Sequence, residues 1–170
     1  MSELVYSEGI STQEHLNLRK AVGFKAISLR QSENGIKNSW LLLSVRDGAN
    51  VVGMLRAISD GGYFVYVTEI LIHPDYQKQG IGKKLVSTLK ERIEKSLLEG
   101  ENVLVSLLCA EGKEQFYEKL GFVKRPCEGH GPGFHCYVEA LKPAEENSWS
   151  EDAKFDLEDY LEENGVYLRQ

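Results

Sequence analysis

Two glycines and a group of lysines follow a β-rich segment in the middle of the chain, and this combination could bind a phosphorylated ligand. Residues 63–72 are rich in β-branched and aromatic side chains, which predicts a strand. Gly80 and Gly82 then open a segment in which apolar residues recur every four positions, which predicts a long helix. The first N–H groups of a helix lack partners within it and its dipole favours negative charge there, so phosphate binds readily at that point. Glycine also lets the backbone approach an anion closely, because no Cβ intervenes.

The charges at this predicted helix start favour the same interpretation. A cation in the first turn opposes the helix dipole by about 0.3–1 kcal/mol. This helix has Lys83 and Lys84 in its first turn and Lys78 just before it, with no acidic residue until Glu91. A site for a polyanion accounts for these lysines, and solvated surface charges are the alternative. The spacing matches neither a P-loop, which needs Ser or Thr where Lys84 stands, nor a dinucleotide fingerprint, which needs glycine where Leu85 stands.

These residues resemble the GNAT superfamily of acetyl-CoA-dependent N-acetyltransferases. Segment 77–82, Gln-Lys-Gln-Gly-Ile-Gly, fits the family's pyrophosphate loop, Gln/Arg-x-x-Gly-x-Gly/Ala. Segment 116–122, Phe-Tyr-Glu-Lys-Leu-Gly-Phe, fits a second family signature, Phe/Leu-Tyr-x-Lys-x-Gly-Phe. Two positions depart from the family pattern, since Ala110 stands where Asn is frequent and Lys113 where Ala is frequent. The resemblance covers residues 40–137 and the N-terminal helices loosely.

The resemblance implies an α/β (α+β) fold with a mixed, mostly antiparallel sheet flanked by helices. Its fourth and fifth strands, here 63–72 and 103–108, would splay apart and admit acetyl-CoA as the cosubstrate, with no metal. The backbone of the fourth strand would contact pantetheine, and the loop and helix start would surround the pyrophosphate. The implied cofactor-binding residues are Leu71, Ile72, Gln77, Lys78, Gln79, Gly80, Ile81, Gly82 and Lys83.

Direct transfer of an acetyl group to an amine calls for an acid and a base. Tyr117 matches the family's acid position, since a phenol can protonate the departing thiolate; its alternative role is packing with Phe116 and Phe122. Glu69 is the predicted base, because it interrupts an apolar strand just before the cofactor segment. Partial burial would raise its pKa, and the alternative is an exposed carboxylate on the solvent face. His73 is a rival base, although its position before a proline is typical of a structural residue.

The residues after Tyr117 predict the acceptor side of the site. The glycine-rich loop 126–133, with Phe134 and His135, is expected to border the acceptor pocket and to close over substrate. The histidines and cysteines of this region lack metal-ligand spacing, so they are expected to be unliganded. Cys109 as an acylated nucleophile is a minor alternative, because no activating residue adjoins it in the sequence.

Hydrophobic periodicity predicts the elements that must position these residues. The first predicted helix begins at Ser11 or Thr12. Three further helices are predicted over residues 24–30, 80–98 and 114–120, and a turn at Gly35 follows the first of these three. Residues 40–45 and 51–58 read as a hairpin with Asp-Gly at its turn, and 103–108 reads as a strand buried on both faces. The other predicted strands are 4–6, 63–72, 122–124 and 134–141.

Composition limits the partners and the compartment. The chain of 170 residues predicts one acetyltransferase-like domain, 1–142, followed by an acidic extension, 143–170, that a short helix would suit. The extension holds nine acidic and two basic residues and leaves a nearly neutral body, so no nucleic-acid partner is expected. No apolar run approaches the roughly 20 residues that span a bilayer. Three cysteines and an N-terminus unlike a signal peptide predict a cytoplasmic protein.

The predicted function is transfer of an acetyl group from acetyl-CoA to a primary amine of a small molecule, a peptide or a lysine, directly within a ternary complex. The alternatives are an acyl-CoA-binding module and a regulatory interaction protein without turnover. The acidic extension could favour a cationic acceptor, form a solvated face or contact a second copy in a homodimer.

Overall fold

The computed structural model describes residues 3–137 of the chain. The chain divides into two compact units, residues 1–130 and 131–170. The first unit contains all helices and strands of the described part, and residues 131–137 of the second have no regular secondary structure. The predicted boundary between residues 142 and 143, the predicted acidic helix and residues 138–141 lie outside the described residues. No helix within residues 3–137 is long and apolar enough to cross a membrane.

The first unit is a five-stranded mixed sheet with helices on both faces. Neighbouring strands follow chain order and are antiparallel, except that the last two are parallel. This arrangement confirms the predicted fold class. The strands are β1 (Val5–Glu8), β2 (Leu41–Asp47), β3 (Asn50–Ser59), β4 (Phe64–Ile72) and β5 (Leu104–Leu107). The helices are α1 (Thr12–Ala21), α2 (Leu29–Lys37), α3 (Ile81–Glu94) and α4 (Glu114–Glu118), with a 3₁₀ turn at Pro74–Tyr76.

Capping boxes set the starts of the first two helices. Ser11 caps α1 with Glu14 as its reciprocal partner, as the sequence predicts. Ser28 caps α2 in the same way with Gln31. The expected helix over residues 24–30 with a turn at Gly35 is therefore wrong, because the Ser28 box starts the helix at Leu29 and Gly35 lies inside it.

Each face of the sheet has its own apolar core. Helix α3 covers one face with side chains that recur at helical spacing, and it ends at Glu94 rather than at the predicted residue 98. Fully burying one such side chain stabilises the fold by roughly 1.5–3 kcal/mol. The buried α3 residues are Ile81, Leu85, Val86, Leu89 and Ile93. On the other face Leu18 of α1 packs with Ile10, Met54 and Leu71, with Ile36 of α2 at the edge of that cluster.

An ion pair also joins α1 to the sheet. The Arg46 guanidinium donates two hydrogen bonds to the Glu14 carboxylate, at 2.6 and 3.1 Å. This pairing, foremost among several hydrogen bonds, lowers the pKa of Glu14 to about 2. The pair therefore attaches the first turn of α1 to β2.

A β-bulge in β4 changes which side chains face each helix layer. Arg56 of β3 lies opposite Glu69, whereas the next residue of β3 lies opposite Val67, so Thr68 is the extra residue. The Thr68 hydroxyl donates a hydrogen bond to the Arg56 carbonyl at 3.1 Å. Val67 packs in the α3 core and Leu71 in the α1 core. The bulge thus places Glu69 and Leu71 on the face that α1 and α2 cover.

The pairing of the fourth and fifth strands covers all of β5 but only the first part of β4. Their pairing runs from Phe64 opposite Leu104 to Val67 opposite Leu107, and β4 then continues to Ile72 beyond the last paired residue of β5. The edge of β4 beyond Val67 is therefore free of a strand partner among the described residues, and the splay of the two strands stays a prediction. The strand predicted to be buried on both faces is instead only partly buried, because β5 has a strand neighbour on one side alone within the described residues.

The predicted strand over residues 122–124 is wrong. These residues follow α4 without regular secondary structure. The amide of Phe122 instead bonds back to the Tyr117 carbonyl at 3.1 Å, and that of Gly121 to the Glu118 carbonyl at 2.9 Å. Gly121 has a φ of 81°, as expected for a residue that ends a helix. The chain after α4 therefore completes the helix end, and its first amides are not available to a strand.

Candidate active site

Two residues with positive φ shape the loop that precedes α3. Lys78 has a φ of 61° and Gly80 a φ of 82°. Gly80 is the N-cap of α3, so no side chain caps the helix. The first turn of α3 also contains no acidic residue. The Lys84 amide donates the first bond of the helix, to the Gly80 carbonyl at 3.0 Å. The amides before Lys84 precede that bond, and together with the lysine charges they suit an anion.

Two glutamine side chains of this loop hydrogen-bond to nearby backbone. The Gln77 side-chain amide donates to the Ile72 carbonyl at 3.1 Å. The Gln79 side-chain amide donates to the Asp75 carbonyl at 3.0 Å. These bonds fix the loop against the end of β4 and the 3₁₀ turn, and the contact of the loop with pyrophosphate stays a prediction.

The unusual backbone of Lys78 leads to a testable prediction. A residue with a side chain at this φ is unfavourable by roughly 1 kcal/mol relative to glycine. We expect Lys78→Gly to leave the free energy of unfolding unchanged or to raise it by up to about 1 kcal/mol. The affinity for acetyl-CoA should fall several-fold, because a cation is lost. Thermal unfolding and calorimetric titration with acetyl-CoA measure the two effects. Lys78→Asn, which tolerates the same backbone without charge, is the control, and unchanged affinity in both variants would show that the charge is irrelevant.

The two sequence motifs meet where α4 packs on the first turn of α3. A Cβ at Gly82 would lie 3.1 Å from Cζ of Phe116, so only glycine allows this approach without displacement of the ring. The rings of Phe116 and Tyr117 contact edge to face at 5.0 Å between centroids, and those of Tyr117 and Phe122 at 5.8 Å. The Lys90 ammonium donates a hydrogen bond to the Leu120 carbonyl and lies 5.0 Å from the Phe122 ring centroid.

Tyr117 therefore lies in an aromatic cluster, and its hydroxyl still has the properties of an acid. Burial, with a smaller contribution from the neighbouring Cys109, raises the pKa of Tyr117 to about 12. The phenol thus keeps its proton throughout the neutral range. The role of Tyr117 as general acid stays a prediction.

Cys109 lies beside Tyr117 at the end of β5. Burial, and next the charge of Glu114, raises the pKa of its thiol. The thiol donates a hydrogen bond to the Ala110 carbonyl at 3.1 Å. A thiol that stays protonated is a poor nucleophile, which argues against an acylated cysteine. Within residues 3–137 no group of three or more His, Cys, Asp or Glu side chains could hold a metal ion.

Glu69 lies in a buried cluster of charged and polar side chains. Its side chain is 7% exposed, and Oε1 accepts a hydrogen bond from Nη1 of Arg19. Oε2 lies 3.0 Å from Nε2 of His15 and 3.4 Å from Nε of Arg56. Nδ1 of His15 lies 2.7 Å from the Ser32 hydroxyl on α2. Both carboxylate oxygens therefore have cationic or polar partners.

These partners reverse the expected effect of burial on Glu69. Burial alone raises the pKa of the carboxyl, but the His15 hydrogen bond and the charges around it outweigh burial, and the pKa is lowered. The expectation of a raised pKa is wrong, as is the alternative of an exposed side chain. Two buried guanidinium nitrogens, Nε of Arg19 and Nη1 of Arg56, lack a hydrogen-bond partner within the described residues. The role of Glu69 as base stays a prediction.

His73 makes structural contacts in the turn between β4 and the loop, and its role as a rival base is untested. Its amide donates to the Val52 carbonyl at 2.8 Å, and its Nδ1 accepts from the Asp75 amide at 3.4 Å. Its ring contacts that of Tyr76 edge to face, and the Tyr76 hydroxyl donates to Asp47 at 2.7 Å. These contacts hold the turn against the β2–β3 hairpin.

The predicted acceptor residues belong to the second unit. The rings of His135 and Tyr137 contact edge to face at 6.1 Å between centroids. In the first unit, Cys127 and His130 close a turn through two main-chain hydrogen bonds of 3.0 and 2.9 Å. The assignment of Phe134 and His135 to the acceptor pocket stays a prediction.

Sequence reasoning missed the partners of Glu69. His15 and Arg19 lie four residues apart on α1, so they share one face of that helix. Arg56 interrupts the apolar β3 much as Glu69 interrupts β4. Opposite charges within two adjacent apolar strands were the available signal, since an unpaired charge is rarely buried.

A strand edge that runs free past its parallel neighbour into a glycine loop at a helix start, with a partly buried phenol on the helix packed against that start, is the arrangement expected of an acyltransferase. A family model described as "Acetyltransferase (GNAT) domain" matches residues 38–124. A protein from Pyropia yezoensis, "Uncharacterized N-acetyltransferase ycf52", is 32% identical over 124 residues, which are 71% of this chain and 69% of that protein. The chain belongs to the GNAT acetyltransferase family.

Two other comparisons agree with this assignment. "GCN5-related N-acetyltransferase 2, chloroplastic" from Arabidopsis thaliana is 27% identical over 148 residues, 74% of this chain and 56% of that protein. A crystal structure from meticillin-resistant Staphylococcus aureus, described as a probable acetyltransferase, aligns with a TM-score of 0.71 at 22% identity. That alignment covers 81% of this chain and 100% of that one, and it shows the shared fold. The protein is therefore an acyltransferase.

Proposed function

We propose that the protein transfers the acetyl group of acetyl-CoA directly to a primary amine of a small molecule or a peptide. The observation that carries this proposal is the edge of β4 beyond Val67, which has no strand partner among the described residues and leads into the loop at the start of α3. One continuous path thus offers strand backbone to an amide-containing chain and helix amides to a diphosphate.

The described residues suit the two ends of coenzyme A. Past Val67 the free edge of β4 has backbone groups that pantetheine amides can pair with, those of Ile70 and Ile72, whereas the backbone of Leu71 faces Met54 of β3. The Ile72 carbonyl already accepts the Gln77 side chain and keeps a second lone pair. At the other end, Lys78 and Lys83 with the helix amides favour the phosphates. When bound, acetyl-CoA supplies a thioester that an amine can attack.

In this proposal Tyr117 supplies the proton that the departing sulfur needs. Its pKa of about 12 keeps the phenol protonated before the reaction. The burial that raises this pKa would also raise that of a thiol at the same place, as it does for the neighbouring Cys109. Burial therefore raises the pKa of the Tyr117 phenol and that of the departing thiol together, and transfer of the proton from the phenol to sulfur stays feasible.

A turnover assay with matched amines tests this function. Free thiol released from acetyl-CoA is measured with tyramine, spermidine and a lysine-containing peptide, each against a reaction without amine. We expect amine-dependent release with at least one of the three, and heat on calorimetric titration with coenzyme A. Heat without turnover would favour a binding module, and no heat at saturating coenzyme A would overturn the proposal.

A further inference from the structure

The Glu69 carboxylate joins two elements to β4 directly and a third through His15. Arg19 and His15 reach it from α1, and Arg56 reaches it from β3. Through His15 the contact continues to Ser32 on α2. A single buried side chain therefore fixes both N-terminal helices on this face of the sheet.

Arg19 extends this connection to the segment between the two helices, residues 22–28. Its Nη2 donates to the Lys25 carbonyl at 2.7 Å, and its guanidinium lies 5.5 Å from the Phe24 ring centroid. The Phe24 amide in turn donates to the Arg19 carbonyl at 3.0 Å. Arg19 is thus a direct link between segment 22–28 and Glu69.

Glu69 also marks the place where β4 becomes open. The last pair with β5 is at Val67, and the bulge residue Thr68 comes between that pair and Glu69. The open edge that would receive the acyl donor therefore begins beside Glu69. The same carboxylate is linked to segment 22–28 through one arginine, so Arg19 connects that segment to the residue beside the open edge.

We propose that Glu69 and Arg19 are positioning residues, which hold segment 22–28 beside the open edge of β4 so that the acceptor amine is presented to the acyl group. This inference rests on the proposed function. Glu69 keeps its charge in this role and takes no proton from the amine.

The contacts of Glu69 argue against a role as the base. To accept a proton, the carboxylate would have to give up an interaction with Arg19, His15 or Arg56. Each guanidinium is largely buried, at 13% exposure for Arg19 and 17% for Arg56, and each already has an unpartnered nitrogen. Neutralising their shared counter-ion is therefore strongly unfavourable.

Arg19→Met tests the inference, because it removes the link to segment 22–28 while Glu69 keeps Arg56 and His15. For whichever of tyramine, spermidine and the lysine peptide turns over, we expect kcat/KM to fall at least about tenfold. The loss should be mainly in KM, because a segment without its anchor must be ordered when the amine binds. The Kd of acetyl-CoA should stay within about twofold. Hydrogen exchange should quicken in segment 22–28 and stay unchanged in α3.

Two variants serve as controls. Arg46→Met removes a different ion pair between α1 and the sheet, one without a contact to segment 22–28 among the described bonds, and should leave the KM of the amine unchanged. Arg19→Lys keeps a cation near Glu69 but loses the planar fork, so it should restore part of the lost affinity for amine. An equal rise in KM for Arg46→Met would overturn the inference, because any loosening of α1 would then suffice.

The pH profile of Arg19→Met separates positioning from proton transfer. The groups that face Glu69 are His15, Arg19 and Arg56, with Ser32 behind His15. If Glu69 were the base, loss of the Arg19 charge would raise its pKa and move the acid limb of kcat/KM to higher pH. A positioning role leaves that limb in place, and a shifted limb would overturn it.

The exchange measurement also separates this inference from the proposed function. If coenzyme A produced no heat and no amine supported turnover, the proposed function would fail. Hydrogen exchange would still report on the contacts of Arg19. If exchange in segment 22–28 were no faster in Arg19→Met, the proposed role of Arg19 in holding this segment would be overturned.

Discussion

Tyr117→Phe is expected to lower kcat by about 10²–10⁴-fold, the usual contribution of a positioned acid. The substitution keeps the ring that packs between Phe116 and Phe122 and removes only the hydroxyl. The Kd of acetyl-CoA should therefore stay within about twofold. Single-turnover kinetics of acetyl transfer, together with calorimetry, measure both quantities.

Tyr6→Phe is the matched control for this prediction. Tyr6 lies on β1, away from the open edge, and burial raises the pKa of its phenol as well. We expect kcat of Tyr6→Phe to equal that of the parent protein. Because the pKa of Tyr117 is about 12, its ionisation should not limit the rate below about pH 10. A Tyr117→Phe enzyme with unchanged kcat would refute the acid assignment and leave Tyr117 as a packing residue.

Features that depend on local sequence were predicted well. The Ser11–Glu14 capping box, the β2–β3 hairpin and the amphipathic stripe of α3 each involve residues close in the chain. The loop before α3 was also predicted, because glycines and lysines at a helix start have a local physical cause. The error at α2 was local too, since the Ser28 capping box was present in the sequence and was not used.

Features that depend on register between distant residues could not be predicted. The bulge at Thr68 reverses the side-chain alternation of β4, so alternation alone could not show which face Glu69 occupies. The cluster around Glu69 joins residues 13 to 54 positions apart along the chain. Its effect on the pKa of Glu69 depends on partners that only the folded chain brings together.

The bulge at Thr68 has two consequences that belong together. It follows the last pair between β4 and β5, and so it comes where the sheet opens. It also directs Glu69 toward α1, where Arg19 and His15 meet it. One inserted residue thus places the open edge and the anchor of the N-terminal helices side by side, which is the arrangement that a transfer between two substrates requires.

Glu69→Gln is expected to cost about 3–5 kcal/mol of unfolding free energy at pH 7, because the amide leaves Arg19 and Arg56 buried without their counter-ion. Urea unfolding measures the change. Glu14→Gln is the matched control: its pair with Arg46 is more exposed and the amide can keep the bond to Ser11, so we expect a smaller loss of about 1–2 kcal/mol.

The difference between Glu69→Gln and the parent protein should shrink in acid. The folded state lowers the pKa of Glu69, so its carboxylate stabilises the fold fully above the unfolded value near 4.5. That contribution is lost as the pH falls through the lower, folded pKa, where the parent protein also carries a neutral side chain at this position. Urea unfolding at pH 7 and at pH 3 compares the two proteins. A difference that stays constant or grows in acid would show that the amide destabilises by packing, and that the buried charge of Glu69 does not hold the cluster together.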